Sequence, residues 1–370
     1  MKHIPFYTIS YQNREIENEV HSFYKELHED AWYILGKRVT QFEQEYAACH
    51  AVKQCIGVGN GLDALTLSLR ALGIGIGDEV IVPANSFIAT LLAVTQVGAT
   101  PVLAEPDSRT FNITAATILP KISSRTKAII PVHLYGLPCE MNEIIDLAEK
   151  HALHIIEDNA QAHGASYKNK KTGSFGIVNA TSFYPVKPLG AYGDGGAITT
   201  NDNALARSIR LLGNYGSEEK YYYETTGLNS RLDEIQAGVL SIKLKHLDRW
   251  NEERIAVAAL YSDLLKDVEE IILPITPDFC KHIYHQFVIQ TKQRDGLKEY
   301  LSERGIQTGI HYPVPPHLQK AYNFLNLKKG NLPVTEKLSE TILSLPIYTG
   351  IKKEDIEYVC EAIRNYYTGK

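Results

Sequence analysis

Three stretches of the chain gather residue types that do chemistry at the ends of strands. In Thr181-Ser182-Phe183-Tyr184-Pro185-Val186-Lys187-Pro188-Leu189-Gly190-Ala191-Tyr192-Gly193-Asp194-Gly195-Gly196-Ala197, a lysine stands between Val186 and Pro188 just past an apolar strand. Glycines follow it, and they let backbone approach a ligand closely. Desolvation lowers a lysine's pKa and makes it a Schiff-base nucleophile; the alternative is a loop lysine whose ammonium snorkels to water. In Ile155-Ile156-Glu157-Asp158-Asn159-Ala160-Gln161-Ala162-His163-Gly164, β-branched residues lead into a carboxylate. A carboxylate there can hold a metal, a ribose hydroxyl or a protonated ring nitrogen, and Asp158 also suits a helix N-cap. In Gly57-Val58-Gly59-Asn60-Gly61-Leu62-Asp63-Ala64-Leu65 a glycine-rich turn opens a helix, where free N–H groups and the helix dipole seat a phosphate. As a dinucleotide fingerprint it is a near-match only. Leu62 or Ala64 takes the third glycine position, Asp78 and Glu79 open the next strand instead of closing it, and the lysine of a Walker loop is missing.

One cofactor needs all three groups. Pyridoxal phosphate (PLP) requires a phosphate cradle, a lysine for its aldehyde and a carboxylate on its pyridinium nitrogen. Phe87, in Pro83-Ala84-Asn85-Ser86-Phe87, is a candidate for the flat apolar face over the ring, ordinary core packing being its other role.

The elements that would position these residues alternate. Strands are expected at Gln54–Val58, Glu79–Pro83, Thr100–Ala104, Lys127–Tyr135, His154–Glu157, Ala180–Tyr184 and Ala197–Thr200, with helices at Leu62–Leu72, Phe87–Val97, Glu140–His151 and Asn203–Leu212. That alternation implies an α/β fold with a mostly parallel, doubly wound sheet, which binds ligands at the carboxyl ends of its strands. A long amphipathic run from Arg231 to about Leu265 reads as a helix bridging into a smaller α+β unit. That unit has strands at His285–Gln290 and Thr308–His311 and helices at Asp295–Arg304, Pro333–Ile342 and Lys353–Tyr367. The boundary falls between a large domain, residues 1–245, and a small one, residues 246–370.

Composition narrows the class. The 370 residues carry 38 basic and 43 acidic side chains, for a net charge of −5, without a long basic run, which argues against nucleic acid as a partner. Apolar stretches are too short to span a bilayer, and the first residues lack the apolar core of a signal peptide, so a soluble cytoplasmic protein with no membrane partner is expected. The 5 cysteines are scattered, without a Cys-x-x-Cys pair, and read as reduced thiols; no metal site is expected.

With these residues assembled, the chain resembles the DegT/DnrJ/StrS-type sugar aminotransferases, PLP enzymes of the fold-type-I aminotransferase architecture. The resemblance runs from Trp32-Tyr33-Ile34-Leu35-Gly36 to Ser344-Leu345-Pro346-Ile347. It is carried by the Ser-Phe-Tyr-Pro-x-Lys run ending in Gly-Asp-Gly-Gly-Ala, by Glu-Asp-x-Ala-Gln, and by Gly227-Leu228-Asn229-Ser230-Arg231-Leu232-Asp233-Glu234-Ile235-Gln236. It implies that Lys187 bonds the cofactor, that Asp158 pairs with the pyridinium nitrogen and that Gln161 contacts the hydroxyl side of the ring. Ser182 and the backbone at Gly61 and Leu62 would hold the phosphate, with Phe87 stacked on the ring. Asn229 would reach the phosphate from a neighbouring subunit, which implies a homodimer with shared active sites. The chain departs from the family pattern at two places: beside the lysine, Val186 stands where Gly or Thr is common and Pro188, where asparagine is usual, removes a backbone donor; and Asn159 replaces the commoner Ala or Cys. A sister group of sugar dehydratases has histidine where this chain has Lys187.

Gln161-Ala162-His163-Gly164, Asn214-Tyr215-Gly216 and His311-Tyr312-Pro313 resemble the members that aminate C3 of dTDP-linked 3-keto-6-deoxyhexoses with glutamate as donor, a step in deoxyamino-sugar biosynthesis of the lipopolysaccharide or O-antigen kind. His163, Tyr184, Arg231, His311 and Tyr312 are the expected substrate contacts, with core packing as the other role of His163. The alternatives are a C4 nucleotide-sugar or cyclitol aminotransferase and a non-catalytic nucleotide-sugar-binding protein.

Overall fold

The computed structural model describes residues 2–369. Seven strands form its central sheet: β1 Gln54–Val58, β2 Glu79–Pro83, β3 Thr100–Ala104, β4 Thr126–Ile129, β5 His154–Asp158, β6 Val178–Ser182 and β7 Gly196–Thr200. Their order is β1-β7-β6-β5-β4-β2-β3, and every strand but β7 runs parallel to the rest. Alternate residues go to opposite faces, as the two-residue period of a strand demands. Val80, Val82, Ile156 and Ile198 pack under the helices Gly61–Ala71, Ile88–Gln96 and Asn203–Gly213. Their neighbours Ile81 and Ile155 pack with the helix Met141–Lys150, and Ala197 with Lys37–Cys49 and Glu234–Leu244. Both faces are therefore covered, which is why these strands read as apolar runs.

Several expected elements are displaced. The strand foreseen to reach Tyr135 ends at Ile129, and the chain turns at Leu134–Gly136 with Tyr135 in the left-handed region (φ 59°). β6 starts and ends two residues early, its ladder with β7 closing at Ser182 opposite Gly196. The long run after Arg231 is two helices, Glu234–Leu244 and Leu247–Leu265, parted where Lys243 turns inward and His246 stacks on Trp250 at 5.3 Å. Thr308–His311 makes a single bridge, Gly309 to Ser344, instead of a strand. Ile342, expected to end the helix from Pro333, instead opens a strand, Ile342–Leu345, paired with Phe287–Thr291. The helices Ser10–Glu15, Glu17–Asp30 and Lys37–Cys49 went unassigned from sequence.

Phe287, Ile289, Leu343 and Leu345 form a second core with Leu297, Leu301, Ile356 and Val359. Ile4 joins this core and bridges to Ile306, whereas Tyr322 and Leu332 return to the core of the large sheet. Segments from both ends of the chain thus cross between the two cores. No helix among the described residues is long and apolar enough to cross a membrane.

Candidate active site

Because β1, β2, β5 and β6 run parallel, their carboxyl ends share one edge of the sheet, and the expected site residues follow those ends directly. After β1, Asn60 caps the helix Gly61–Ala71, its side chain accepting from the amide of Asp63 at 2.9 Å. The amides of Gly61 and Leu62, the first two of the helix, have no carbonyl within the helix to bond. Gly61 lies so close to Ser182 that a Cβ there would meet the serine's Cβ at 2.5 Å. The helix N-terminus is therefore packed directly against Ser182.

Asp158 ends β5 and is buried. One carboxylate oxygen accepts from the Thr90 hydroxyl at 2.9 Å and the other from the Ala160 amide at 3.2 Å. Thr90 spends its hydrogen on Asp158, so at 2.8 Å the Ser86 hydroxyl must be the donor to Thr90. Burial raises the pKa of Asp158, against the pull of the Ala160 amide, the Thr90 hydroxyl and the charge of Lys187. Lys187 itself is drawn down to about 8 by burial, with Asp158 opposing. Each group thus shifts the other, and the amine is available as a base near neutrality.

Phe87 is half exposed and caps the start of the helix Ile88–Gln96, its ring 5.4 Å from that of Tyr312. Gln161 is buried, accepts from the Tyr135 amide at 2.7 Å and donates to the Tyr312 hydroxyl at 3.4 Å. His311 stacks on Phe6 at 5.5 Å and bonds Ser344 at 2.9 Å. Burial, reinforced by the charge of Lys187, lowers its pKa to about 4, so at neutral pH its ring is uncharged. Tyr184, in the turn before Lys187, is exposed, and its carbonyl accepts from the Lys187 amide at 2.8 Å. Lys187, Asp158, Gln161, Phe87, His311, Tyr312, Ser182 and the Gly61 turn are thereby gathered at one sheet edge.

Three expected contacts lie elsewhere. His163 has no exposed surface; its ring bonds Thr181 at 2.8 Å and packs on Phe183, behind the site. It is wall, because residue 163 turns back under β6 before it can reach the edge. Arg231 bonds Asn214 at 3.1 Å, lies over the Tyr215 ring, and lines a separate cleft of about 540 Å³ with Glu43 and Arg210. Asn229 is exposed and pairs with Asn214 through its backbone. Sequence reasoning missed Thr90 and Tyr135. Thr90 stands one helical turn beyond Phe87 and so shares its face, and Tyr135 follows the end of β4 at the same sheet edge.

Comparison with known proteins gives the family. The DegT/DnrJ/EryC1/StrS aminotransferase family matches residues 14–364. A relative from Aneurinibacillus thermoaerophilus, dTDP-3-amino-3,6-dideoxy-alpha-D-galactopyranose transaminase, is 49% identical over 98% of this chain and 99% of its own. A relative from Acidithiobacillus ferrooxidans, UDP-N-acetyl-3-dehydro-alpha-D-glucosamine 3-aminotransferase, is 45% identical over 92% of each. The crystal structure of S. venezuelae DesV in complex with a ketimine intermediate is 44% identical and superposes with a TM-score of 0.97 over 99% of both chains. The chain belongs to the DegT/DnrJ/EryC1/StrS aminotransferase family and is a PLP-dependent sugar aminotransferase.

Proposed function

We propose that this enzyme moves an amino group from glutamate to C3 of a dTDP-linked 3-keto-6-deoxyhexose, giving a nucleotide-activated deoxyamino sugar for polysaccharide assembly. The observation that carries the reading is the 49% identity, end to end, with a relative named for a dTDP-3-amino-3,6-dideoxy sugar. The relative named for a UDP sugar is likewise named a 3-aminotransferase, which favours C3 over C4 and makes the nucleotide the variable to test.

The residues fit PLP. A Cβ on Gly61 would collide with Ser182, so glycine brings the helix N-terminus up against that residue, and its two unbonded amides offer an anion the positive end of the dipole. The Gly61 and Leu62 amides and Ser182 would hold the phosphate, and Phe87 would pack on the ring. Asp158, oriented by Thr90 and Ala160, would keep a proton on the ring nitrogen, and Gln161, tied to the Tyr135 amide, would contact the ring hydroxyl. When bound, PLP supplies the electron sink that makes a carbon next to the amine acidic. Lys187 Nζ, with its pKa near 8, takes the proton from that carbon and returns it one atom away, as base and then acid. Tyr184, His311 and Tyr312 line the approach of the substrate. Asn229, exposed on its own chain, serves the neighbouring protomer of a homodimer, and Arg231 a diphosphate at that junction. The chain divides into a large unit, residues 1–245, and a small one, residues 246–370, joined where Ile4 packs into the small core and Tyr322 and Leu332 into the large one.

The test is incubation with glutamate and matched 3-keto and 4-keto sugars on dTDP and UDP, followed by NMR location of the new amine. Amination at C4, or equal rates with UDP-linked sugars, overturns the assignment. A colourless protein that glutamate leaves unchanged would instead mark a non-catalytic binder.

A further inference from the structure

The helix Glu234–Leu244 holds the loop after Lys187 at two points. Gln236 accepts from the Tyr192 amide at 2.9 Å, and Lys243 Nζ donates to the Gly190 carbonyl at 2.7 Å. Residues seven apart lie two turns along one face of a helix, so a rigid rod spans both contacts. The rod is itself anchored: buried Glu234 at its start accepts from the amides of Gly36, Arg38 and Val39 at 2.8, 2.9 and 2.8 Å.

Lys243 is an unusual residue for such a place. It is 2% exposed, and its ammonium lies 4.3 Å from the Tyr192 ring centroid, with a carbonyl as its hydrogen-bond partner. Burial lowers its pKa to about 8. A buried ammonium is expensive, and leucine would fill the same space in a core that already holds Leu189, Ala191, Ala237 and Leu240. What lysine adds is a grip on one carbonyl. The loop under that grip is tight: a Cβ on Gly190 would lie 2.3 Å from the Pro185 carbonyl oxygen, and the Lys187 amide closes a turn onto Tyr184 at 2.8 Å. The contact Lys243 makes with this loop is to a backbone carbonyl, so its hold on Lys187 runs through the chain between them.

We propose that Lys243 is a positioning residue for Lys187: by pinning Gly190, with Gln236 pinning Tyr192, it holds the Pro185–Gly190 turn in the shape that turns the reactive amine toward Asp158. This rests on Lys187 being the cofactor lysine. A 1 Å displacement of such a group costs up to about a hundredfold in rate.

Lys243→Met keeps the volume and removes the grip. In the purified full-length protein it is expected to speed amide hydrogen exchange across residues 184–192 while leaving that of 234–244 unchanged. PLP binding should weaken roughly tenfold and kcat fall ten- to hundredfold, with KM for glutamate unchanged within about twofold. Lys243→Arg should restore the exchange pattern. Unchanged exchange at 184–192, or equal loosening of the loop and the helix, overturns the proposal. Should Lys243→Met not fold, Gln236→Leu, at the other contact, must show the same selective loosening. If instead Lys187→Ala retains the cofactor's visible band, the reading of Lys187 fails, whatever the loop does.

Discussion

Replacing Asp158 by Asn separates chemistry from folding at a single atom. The two side chains have the same shape, and the neighbourhood can accept the new amide group: the Ser86 and Thr90 hydroxyls, 2.8 Å apart, can reverse their direction so that Thr90 accepts where it donated. What is lost is the charge. Two opposite charges about 4 Å apart at an effective dielectric near 20 attract by about 4 kcal/mol. At about 1.4 kcal/mol per factor of ten, losing most of that in the transition state lowers kcat by roughly 10²–10³. The effect on stability has the opposite sign. Burial raises the folded pKa of Asp158, and an acid shifted upward costs stability as pH rises through its folded pKa. At neutral pH the Asn variant is freed of that cost, so the cofactor-free protein should melt no lower than the wild type. Stopped-flow absorbance of the glutamate half-reaction, with a thermal melt of the cofactor-free protein beside it, measures both. A wild-type rate refutes the electron-sink role, and a rate loss matched by a falling Tm refutes the separation.

Other outcomes follow from the same geometry. Lys187→Ala should lose the visible band of the lysine-bound cofactor and all multiple turnover, as absorbance and product assays will show. Lys187 reacts as the free amine, so with its pKa near 8, capture of PLP by the cofactor-free protein should quicken about tenfold per pH unit below that value and level off above it. A profile flat from about pH 6 to 9 contradicts the assignment. Gly61→Ala drives a methyl group into Ser182; overpacking of this kind costs about 1–3 kcal/mol, so calorimetry should show a lower Tm, and a PLP titration an affinity weakened at least tenfold.

Much of this arrangement was legible in the sequence because it is local. β1, β2, β3 and β7 lie within one residue of their expected bounds, since a short apolar run between turn residues carries its own signal. Asp158 and Lys187 stand where strands end, and a parallel sheet brings such ends to one edge whatever the details of its helices. The chemistry of the site, and the cofactor that unites a lysine, a carboxylate and a helix N-terminus, were therefore readable one segment at a time.

Other features exist only through distant partners. Ile342–Leu345 is a strand because Phe287–Thr291 pairs with it, and its four residues alone are too short a run to mark it as one. His163, five residues from Asp158, carries a motif that points to substrate, yet the turn after β5 sends it under Thr181 and into the interior. Thr90 meets Asp158 across 68 positions, and Lys243 reaches Gly190 across 53. The groups proposed to do the chemistry could be picked out from residue types and strand ends, because reactivity is a local property. The groups that orient them came into view with the fold, because orientation is set by contacts between segments that the chain keeps far apart.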